Sequence, residues 1–261
     1  MKVTALLVLK CGAAAQEEAT VLANASDVSH FGYFQRGSAK EFIVFVARTI
    51  AKRTPAGQRQ SVEQEGLLLY STQRENACCN RKFIKERKRF EAEKNVDLMV
   101  LLWLDNADLR VLLWLKNAGL RDEKNAEYMV HAYNRNGLCG VAFVDAQYPM
   151  RSAFSVLTKV LDEYQKAFGN SWQNVQSDNS DTWPYLDEAL GKYQDPTEAD
   201  KLLKIQKELD ETKHILHKTI DSVLERGEKL DSLVEKSSDL SLASQVFYKQ
   251  AKKTNQCCTI L

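Results

Sequence analysis

The sequence predicts an α+β domain, in which helices flank an antiparallel sheet, followed by a long coiled-coil helix. Three observations predict this class. Short apolar runs rich in β-branched residues alternate with helix-like segments in the first part of the chain. The turn signal Asn134-Arg135-Asn136-Gly137 separates two strand-like runs, as in a β-hairpin. Beyond Pro196, apolar residues recur at alternating spacings of three and four, and no further proline interrupts them.

The domain begins with two predicted strands, at 3–9 and 20–25. Lys2 and the apolar run after it weakly imitate a signal peptide, but that run is short for a signal and we interpret it as a core strand. Residues 41–51 are apolar around much of the helix circumference, which predicts a buried helix.

The later elements of the domain follow from the hairpin. Residues 128–133 and 138–145 are its two strands. A core-facing helix is predicted over 152–168 because its large apolar residues are three or four positions apart, and a short helix follows around 183–193. We place the domain at 1–187.

Residues 66–126 interrupt this pattern. They contain a tandem repeat, VLLWLDNADLR (100–110) and VLLWLKNAGLR (111–121), and two copies are too few for a solenoid. Removing the block would join 61–65 to 127–133 as one continuous strand. We therefore interpret it as an insertion, either a genuine one, a retained intron or an error in the gene model. A membrane-binding amphipathic helix is the alternative interpretation of the repeat.

The composition argues against several classes of protein. The net charge of +1 gives no global attraction to nucleic acid. The six cysteines form neither a CxxC pair nor a metal-ligand set with the four histidines, so we expect no metal site, no cofactor and a reducing compartment. The sequence lacks GxxxxGK[ST], HExxH and GxSxG, and we expect no catalysis. No apolar run approaches the roughly 20 residues of a membrane-spanning helix.

The coiled-coil segment is predicted at 196–255. Asp195 is the expected N-cap, with Pro196 in the first turn and Glu198 three residues on. Alternating steps of three and four residues from Leu202 give sixteen positions, and ten of them are apolar. The same steps started one residue later give five apolar positions, and started one residue earlier they give three. Such a seam requires partner helices, or else the segment must fold back on its own domain. The ten apolar positions are Leu202, Ile205, Leu209, Leu216, Val223, Leu230, Leu233, Leu240, Phe247 and Ala251.

Arg226 lies in the middle of this seam. A buried guanidinium costs several kcal/mol unless its donors are paired. Arg226 either extends out of the seam or forms a polar layer that fixes the register of the partner helices.

The run LDETKHILHKTIDSVLERGEKLDSLVEKSSDLS (209–241), with Arg226 at its centre, resembles the R-SNARE motif. The preceding segments HFGYFQRGSAKEFIVF (30–45) and YPMRSAFSVLTKVLDEY (148–164) resemble a longin domain. Residues 256–261 are a separate tail, in which Cys258-Thr259-Ile260-Leu261 fits the CaaX prenylation pattern. Together these features resemble the lipid-anchored YKT-type R-SNAREs, and the residues before the tail resemble plant members.

The resemblance implies a role for particular residues. Arg226 would be the ionic central layer opposite three glutamine-bearing helices (Qa, Qb and Qc), and the ten apolar positions would be packing layers. Cys258 would carry a prenyl group and Cys257 a second lipid such as palmitate, added by prenyltransferase and acylation machinery. Farnesyl and geranylgeranyl both remain open. Phe31, Tyr33 and Phe34 would form a docking surface on the longin domain, with ordinary domain core as the alternative.

The expected function is therefore that of an R-SNARE. It would drive vesicle docking and membrane fusion on the cytoplasmic face of endomembranes (Golgi, ER, endosome or vacuole), exchange with the cytosol, and be restrained by its longin domain. The alternatives are a fusion-incompetent regulatory isoform caused by the insertion and a prenylated coiled-coil adaptor.

Overall fold

A six-stranded sheet lies at the centre of the computed structural model. The structure describes residues 2–12, 18–64, 128–178, 183–205, 215–225 and 227–258. The chain divides into two units, 1–70 with 125–261 and 71–124, and every described residue belongs to the first.

The strands follow the order β2-β1-β5-β4-β3-β6 across the sheet. The first five pair in antiparallel fashion, whereas β6 pairs in parallel with β3. The bounds are β1 Val3–Lys10, β2 Thr20–Ser26, β3 Arg59–Gln64, β4 Tyr128–Arg135, β5 Leu138–Asp145 and β6 Ile215–Thr219.

Helices cover both faces of the sheet. The single-turn 3-10 helices are Tyr33–Gln35 and Ser171–Asn174. The α-helices are α1 Arg36–Lys52, α2 Met150–Phe168, α3 Pro184–Lys192, α4 Pro196–Ile205, α5 Ile220–Val223, α6 Leu230–Lys236 and α7 Leu242–Cys258.

The predicted hairpin between β4 and β5 is confirmed. Arg135 and Leu138 are its last paired residues, so Asn136 and Gly137 form a two-residue loop. Both have positive φ, 51° and 97°, as a type I′ turn requires. The helices predicted over 41–51 and 152–168 are confirmed as parts of α1 and α2, and the short helix predicted around 183–193 is confirmed as α3.

Two apolar cores lie on opposite faces of the sheet. One contains Phe42, Val46 and Ile50 of α1, and the other contains Phe154 and Leu157 of α2. Because β1 and β5 contribute alternate side chains to both cores, they read as nearly continuous apolar runs in the sequence.

The α+β class is confirmed, with one change to the predicted sheet: β6 makes it mixed rather than purely antiparallel. The segment expected to be one long helix over 196–255 is divided among α4, β6, α5, α6 and α7. The physical reason is that a helix with one apolar seam is unstable alone in water. In this structure the segment folds back on its own domain and packs its apolar residues there.

The expected junction of 61–65 with 127–133 into one strand is wrong. These residues fall in two neighbouring antiparallel strands, and Gln64 pairs with Tyr128. Removing 66–126 would leave only residues 65 and 127 between that pair, which is the length of a two-residue hairpin loop. The block therefore interrupts a hairpin between β3 and β4, and the six residue pairs of that hairpin are intact.

Candidate protein-interaction site: the folded-back segment

The apolar face of the C-terminal segment packs against the core that contains α1. Val234 of α6 is 0% exposed, and Phe247 and Ala251 of α7 are 5% and 2% exposed. Burying a valine or phenylalanine side chain contributes about 1.5–3 kcal/mol. This docked surface thus joins the segment to the domain by hydrophobic contact.

Two aromatic pairs fix α7 on α1 and the residues before it. The rings of Phe31 and Phe247 meet edge to face with centroids 6.0 Å apart. The rings of Phe42 and Tyr248 stack at 5.6 Å. Each such pair stabilises the contact by about 0.5–1.5 kcal/mol beyond the effect of burying its apolar area.

The carboxylate of Glu41 binds the start of α7. Its Oε2 accepts hydrogen bonds from Ser241 N at 3.2 Å, Ser241 Oγ at 2.7 Å and Ser244 Oγ at 2.5 Å. A negative charge is favourable at a helix N-terminus. Partial burial alone would raise the pKa of Glu41, but the hydrogen bonds from both serines outweigh it and hold the pKa below its ordinary value.

Ion pairs bind α1 to the loops of the segment. Arg48 pairs with Asp239 at 2.6 Å, and Arg53, just after α1, pairs with Glu228 at 2.8 Å. Arg48 also binds Asp178, whose Oδ1 accepts a hydrogen bond from Val21 N. These partly exposed pairs orient the segment more than they stabilise it.

Within the segment, Asp231 of α6 connects to α7. Tyr248 donates a hydrogen bond to Asp231 at 2.5 Å, and Lys252 forms an ion pair with the same carboxylate. The bonds from Lys252 and Tyr248 lower the pKa of Asp231. Burial, followed by donation to Asp231, raises the pKa of Tyr248. These bonds join α6 to α7, and both helices contribute side chains to the core that contains α1.

Asp195 has the predicted capping role at the start of the segment. Its Oδ1 accepts a hydrogen bond from Thr197 N at 2.9 Å, which lowers the pKa of Asp195. Glu198 instead pairs with Lys201. The helix that follows, α4, packs against α2 on the opposite face of the sheet from α7.

The described residues contain no cluster of His, Cys, Asp or Glu that could hold a metal ion. No helix in the described ranges is long and apolar enough to span a bilayer. The arrangement offers a docked apolar surface, and its contacts are those of a non-covalent protein interface.

Comparison with known proteins gives matches over the whole chain. The Synaptobrevin family model matches residues 201–259, and the Longin model, described as a regulated-SNARE-like domain, matches residues 122–186. VAMP-like protein YKT61 of Arabidopsis thaliana is 57% identical over 261 residues, covering 100% of both chains. VAMP-like protein YKT62 of the same plant is 52% identical over 263 residues, again with 100% of both covered. Synaptobrevin homolog YKT6 of Saccharomyces cerevisiae is 38% identical over 248 residues, covering 94% of each chain.

The chain belongs to the YKT6 family of synaptobrevin homologues. The resemblance predicted from the sequence is thereby confirmed, including its plant-like character. Membership gives the chain an R-SNARE role in trafficking, and these SNAREs are not enzymes.

In this YKT6-family chain, half of the predicted packing layers lie in the docked surface. Leu233 is half-buried beside them, and Leu216 of β6 is 41% exposed. Leu202 and Ile205 belong to α4, but their side chains, like all of Leu209 and Arg226, lie outside the described residues. The buried layers are Val223, Leu230, Leu240, Phe247 and Ala251.

The remaining predicted residues are the three aromatic residues before α1 and the two cysteines at the end of α7. Phe31 is buried against Phe247, whereas Tyr33 and Phe34 are 78% and 95% exposed and contact each other. Cys257 and Cys258 form the end of α7, and their side chains lie outside the described residues.

The sequence reasoning missed a second apolar stripe of the R-SNARE segment. Leu224, Val234 and Tyr248 are buried on the domain, although none is a seam position. A signal for them existed, since all three belong to the five apolar residues in the register one position forward. An apolar face wider than a coiled-coil seam indicates docking on a broader surface.

Proposed function

We propose that the chain is an R-SNARE in a closed form, whose segment 196–255 zips with three Q-SNARE helices (Qa, Qb and Qc) to drive vesicle docking and membrane fusion. One observation carries this proposal: five of the layers that the four-helix bundle would bury are already buried on the chain's own longin domain. Docking on the domain and zippering therefore compete for the same side chains.

This competition amounts to autoinhibition. The bundle requires a continuous helix with a 3.5-residue repeat, but among the described residues the segment forms a strand, β6, and several separate helices. Q-SNARE helices would bind only the released segment, so the apparent affinity falls in proportion to the population of that form. The polar contacts of Glu41, Arg48 and Arg53 add to the stability of the closed form.

Arg226 is proposed as the central layer of the bundle. A guanidinium in an apolar seam is satisfied only when each partner helix supplies an acceptor at the same level, so any shift in register leaves it unpaired. A homodimer would place two Arg226 side chains opposite each other, which argues against the coiled-coil adaptor.

A lipid anchor is proposed at the end of α7. Prenyltransferase would modify Cys258 in its CaaX motif, and acylation of Cys257 would add a second chain. One chain gives marginal, reversible membrane binding and two give stable anchoring. Reversible acylation would let the protein exchange between the cytosol and the cytoplasmic face of endomembranes (Golgi, ER, endosome or vacuole).

The assembly test uses the full chain with purified Qa, Qb and Qc helices. Wild-type protein should form a 1:1:1:1 complex, and Arg226→Ala should weaken it because the partner glutamines lose their hydrogen-bond partner. Lys229→Ala, at an exposed position outside the seam, is the control and should assemble normally. A stable homo-oligomer that ignores the Q-SNARE helices would refute the assignment.

The anchor test compares the cellular distribution of wild type and Cys258→Ser. The variant should be found in the cytosol, because loss of the prenyl chain removes the two-chain anchor that gives stable membrane binding. Persistent membrane association of Cys258→Ser would mean that another part of the chain holds the protein at the membrane.

A further inference from the structure

Helix α7 has an exposed apolar face as well as the docked one. Leu242 and Val246 are 80% and 51% exposed. At 100° per residue they lie on the side of the helix opposite Phe247 and Ala251, which face the domain. We call Leu242, Val246 and Lys249 the outward stripe, because Lys249 falls on the same side and its side chain is 54% exposed.

Neither form of the R-SNARE segment buries this stripe. In the closed form it faces solvent. In the bundle, the seam runs through Ser244, Phe247 and Ala251, so Leu242 and Val246 would remain outside the packed layers. Leu242 and Val246 are therefore available to a third partner in both forms.

The charge of α7 indicates what that partner is. Residues 242–258 contain Lys249, Lys252 and Lys253 and no aspartate or glutamate. Lys249 contacts Glu235 at 2.9 Å, but with both side chains more than half exposed this pair is weak. Apolar residues followed by lysines on one helix are the pattern of a helix that lies on an anionic lipid surface.

We propose that the outward stripe binds the surface of an anionic bilayer while the opposite face of α7 stays docked on the longin domain. This inference rests on the closed form proposed above. The protein would then have a membrane-bound state that is still closed, in addition to the cytosolic closed form and the assembled form. The helix continues to Cys258, so the proposed lipid sites and the stripe belong to one element that lies along the membrane.

A second copy of the chain fits the stripe less well. Two stripes packed together would bring Lys249 of each copy close to the other, and two apolar side chains per copy bury far less area than a stable dimer needs. An anionic bilayer instead attracts the exposed Lys249 of the stripe and accepts both apolar side chains, while Lys252 stays paired with Asp231.

Hydroxyl-radical footprinting of the full chain tests the proposal directly. The unlipidated protein is tethered by a C-terminal oligohistidine extension to vesicles that contain nickel-chelating lipid, with either phosphatidylcholine alone or 30% phosphatidylserine. On the anionic vesicles, oxidation of Leu242 and Val246 should fall by at least about threefold, because the interface excludes water from them. Phe247 should stay protected, and the exposed Phe168 should be oxidised equally on both vesicles.

Two outcomes would overturn the proposal. One is oxidation of Leu242 and Val246 that is the same on both vesicles. The other is new oxidation of Phe247 on the anionic vesicles, which would mean that the segment opens when it binds. No Q-SNARE is present, so failure here is distinct from failure of the R-SNARE assignment.

Matched variants test the stripe without a tether. Leu242→Ser with Val246→Ser should weaken partition of the full chain into anionic vesicles at millimolar lipid by about tenfold, through loss of apolar area. Ala243→Ser with Gln245→Ser introduces the same residues into the same helix and should bind like wild type. Equal binding by both double variants would refute the role of the stripe.

Discussion

Strands β1 and β6 belong to the same sheet but are held in different ways. Seven of the eight residues of β1 are buried, and it pairs with β2 on one side and β5 on the other. Only Ile215 is buried among the five residues of β6, which pairs with β3 alone. Removing β1 would destroy both cores, whereas β6 can leave while the other five strands remain paired.

This difference indicates that the helices of the segment, more than β6, stabilise the closed form. β6 contributes one buried side chain, so the apolar burial that holds the segment comes mainly from its helices: α7 packs on α1, and Leu230 and Val234 of α6 belong to the same core. A segment attached by one face of two helices can detach as a unit, as a switch between two partners requires. The predictions below separate contacts that serve only the closed form from contacts that serve both forms.

The largest effect is expected for Val234→Asp. Val234 is fully buried in the closed form but lies outside the bundle seam, so the variant should release the segment without harming assembly. Burying an unpaired carboxylate there should cost about 3 kcal/mol or more, or over a hundredfold in the open-to-closed ratio. Amide hydrogen exchange of α7 should accelerate accordingly, and assembly with Q-SNARE helices should be faster.

Ser232→Asp is the matched control, since it adds the same charge at an exposed position of the same helix. It should leave exchange in α7 unchanged. Slow exchange in α7 of Val234→Asp would show that the segment is not held through this position.

A somewhat smaller effect on the closed form is expected for Phe247→Ala. Loss of the contact with Phe31 and of the buried ring should cost about 3 kcal/mol. Because Phe247 is also a predicted layer, thermal stability of the assembled complex should fall as well. Leu242→Ala, on the outward stripe, is the control. It should change the stability of the closed form and of the assembled complex by no more than about 0.5 kcal/mol each. If Phe247→Ala weakened only one of the two forms, the seam would not be shared.

The smallest effect is expected for Glu41→Gln, which keeps a hydrogen-bond acceptor and removes the charge at the start of α7. The closed form should lose about 0.5–1 kcal/mol, because the site is exposed. The pKa of Glu41 is lowered by docking, so its contribution is complete above the ordinary value of 4.5 and disappears as pH falls through the lower pKa. Exchange in α7 measured against pH should show this loss in wild type and a weaker dependence in Glu41→Gln. An equal pH dependence in both would contradict the assigned role.

Sequence patterns predicted the domain well because its local and tertiary preferences agree. Asn136 and Gly137 specify a two-residue turn by their tolerance of positive φ, and the spacing of apolar residues in α2 matches the face that it buries. Asp195 was recognisable as an N-cap from its position before Pro196.

The closed conformation of the C-terminal segment could not be predicted in the same way. Its 3.5-residue repeat describes packing against partner helices that are absent from a monomer. Residues 215–219 carry no alternation typical of a strand, and they form β6 only because β3 offers a free edge. The docking residues Glu41 and Arg48 follow no motif, because their partners are about 190–200 positions away in sequence.

Hydrogen exchange in β3 tests the central claim, that zippering removes the segment from its own domain. On addition of Qa, Qb and Qc helices, the amides of 59–63 that face β6 should exchange faster, while those that face β4 stay protected and α7 gains protection in the bundle. Unchanged protection along the β6-facing edge of β3 in the assembled complex would contradict the account.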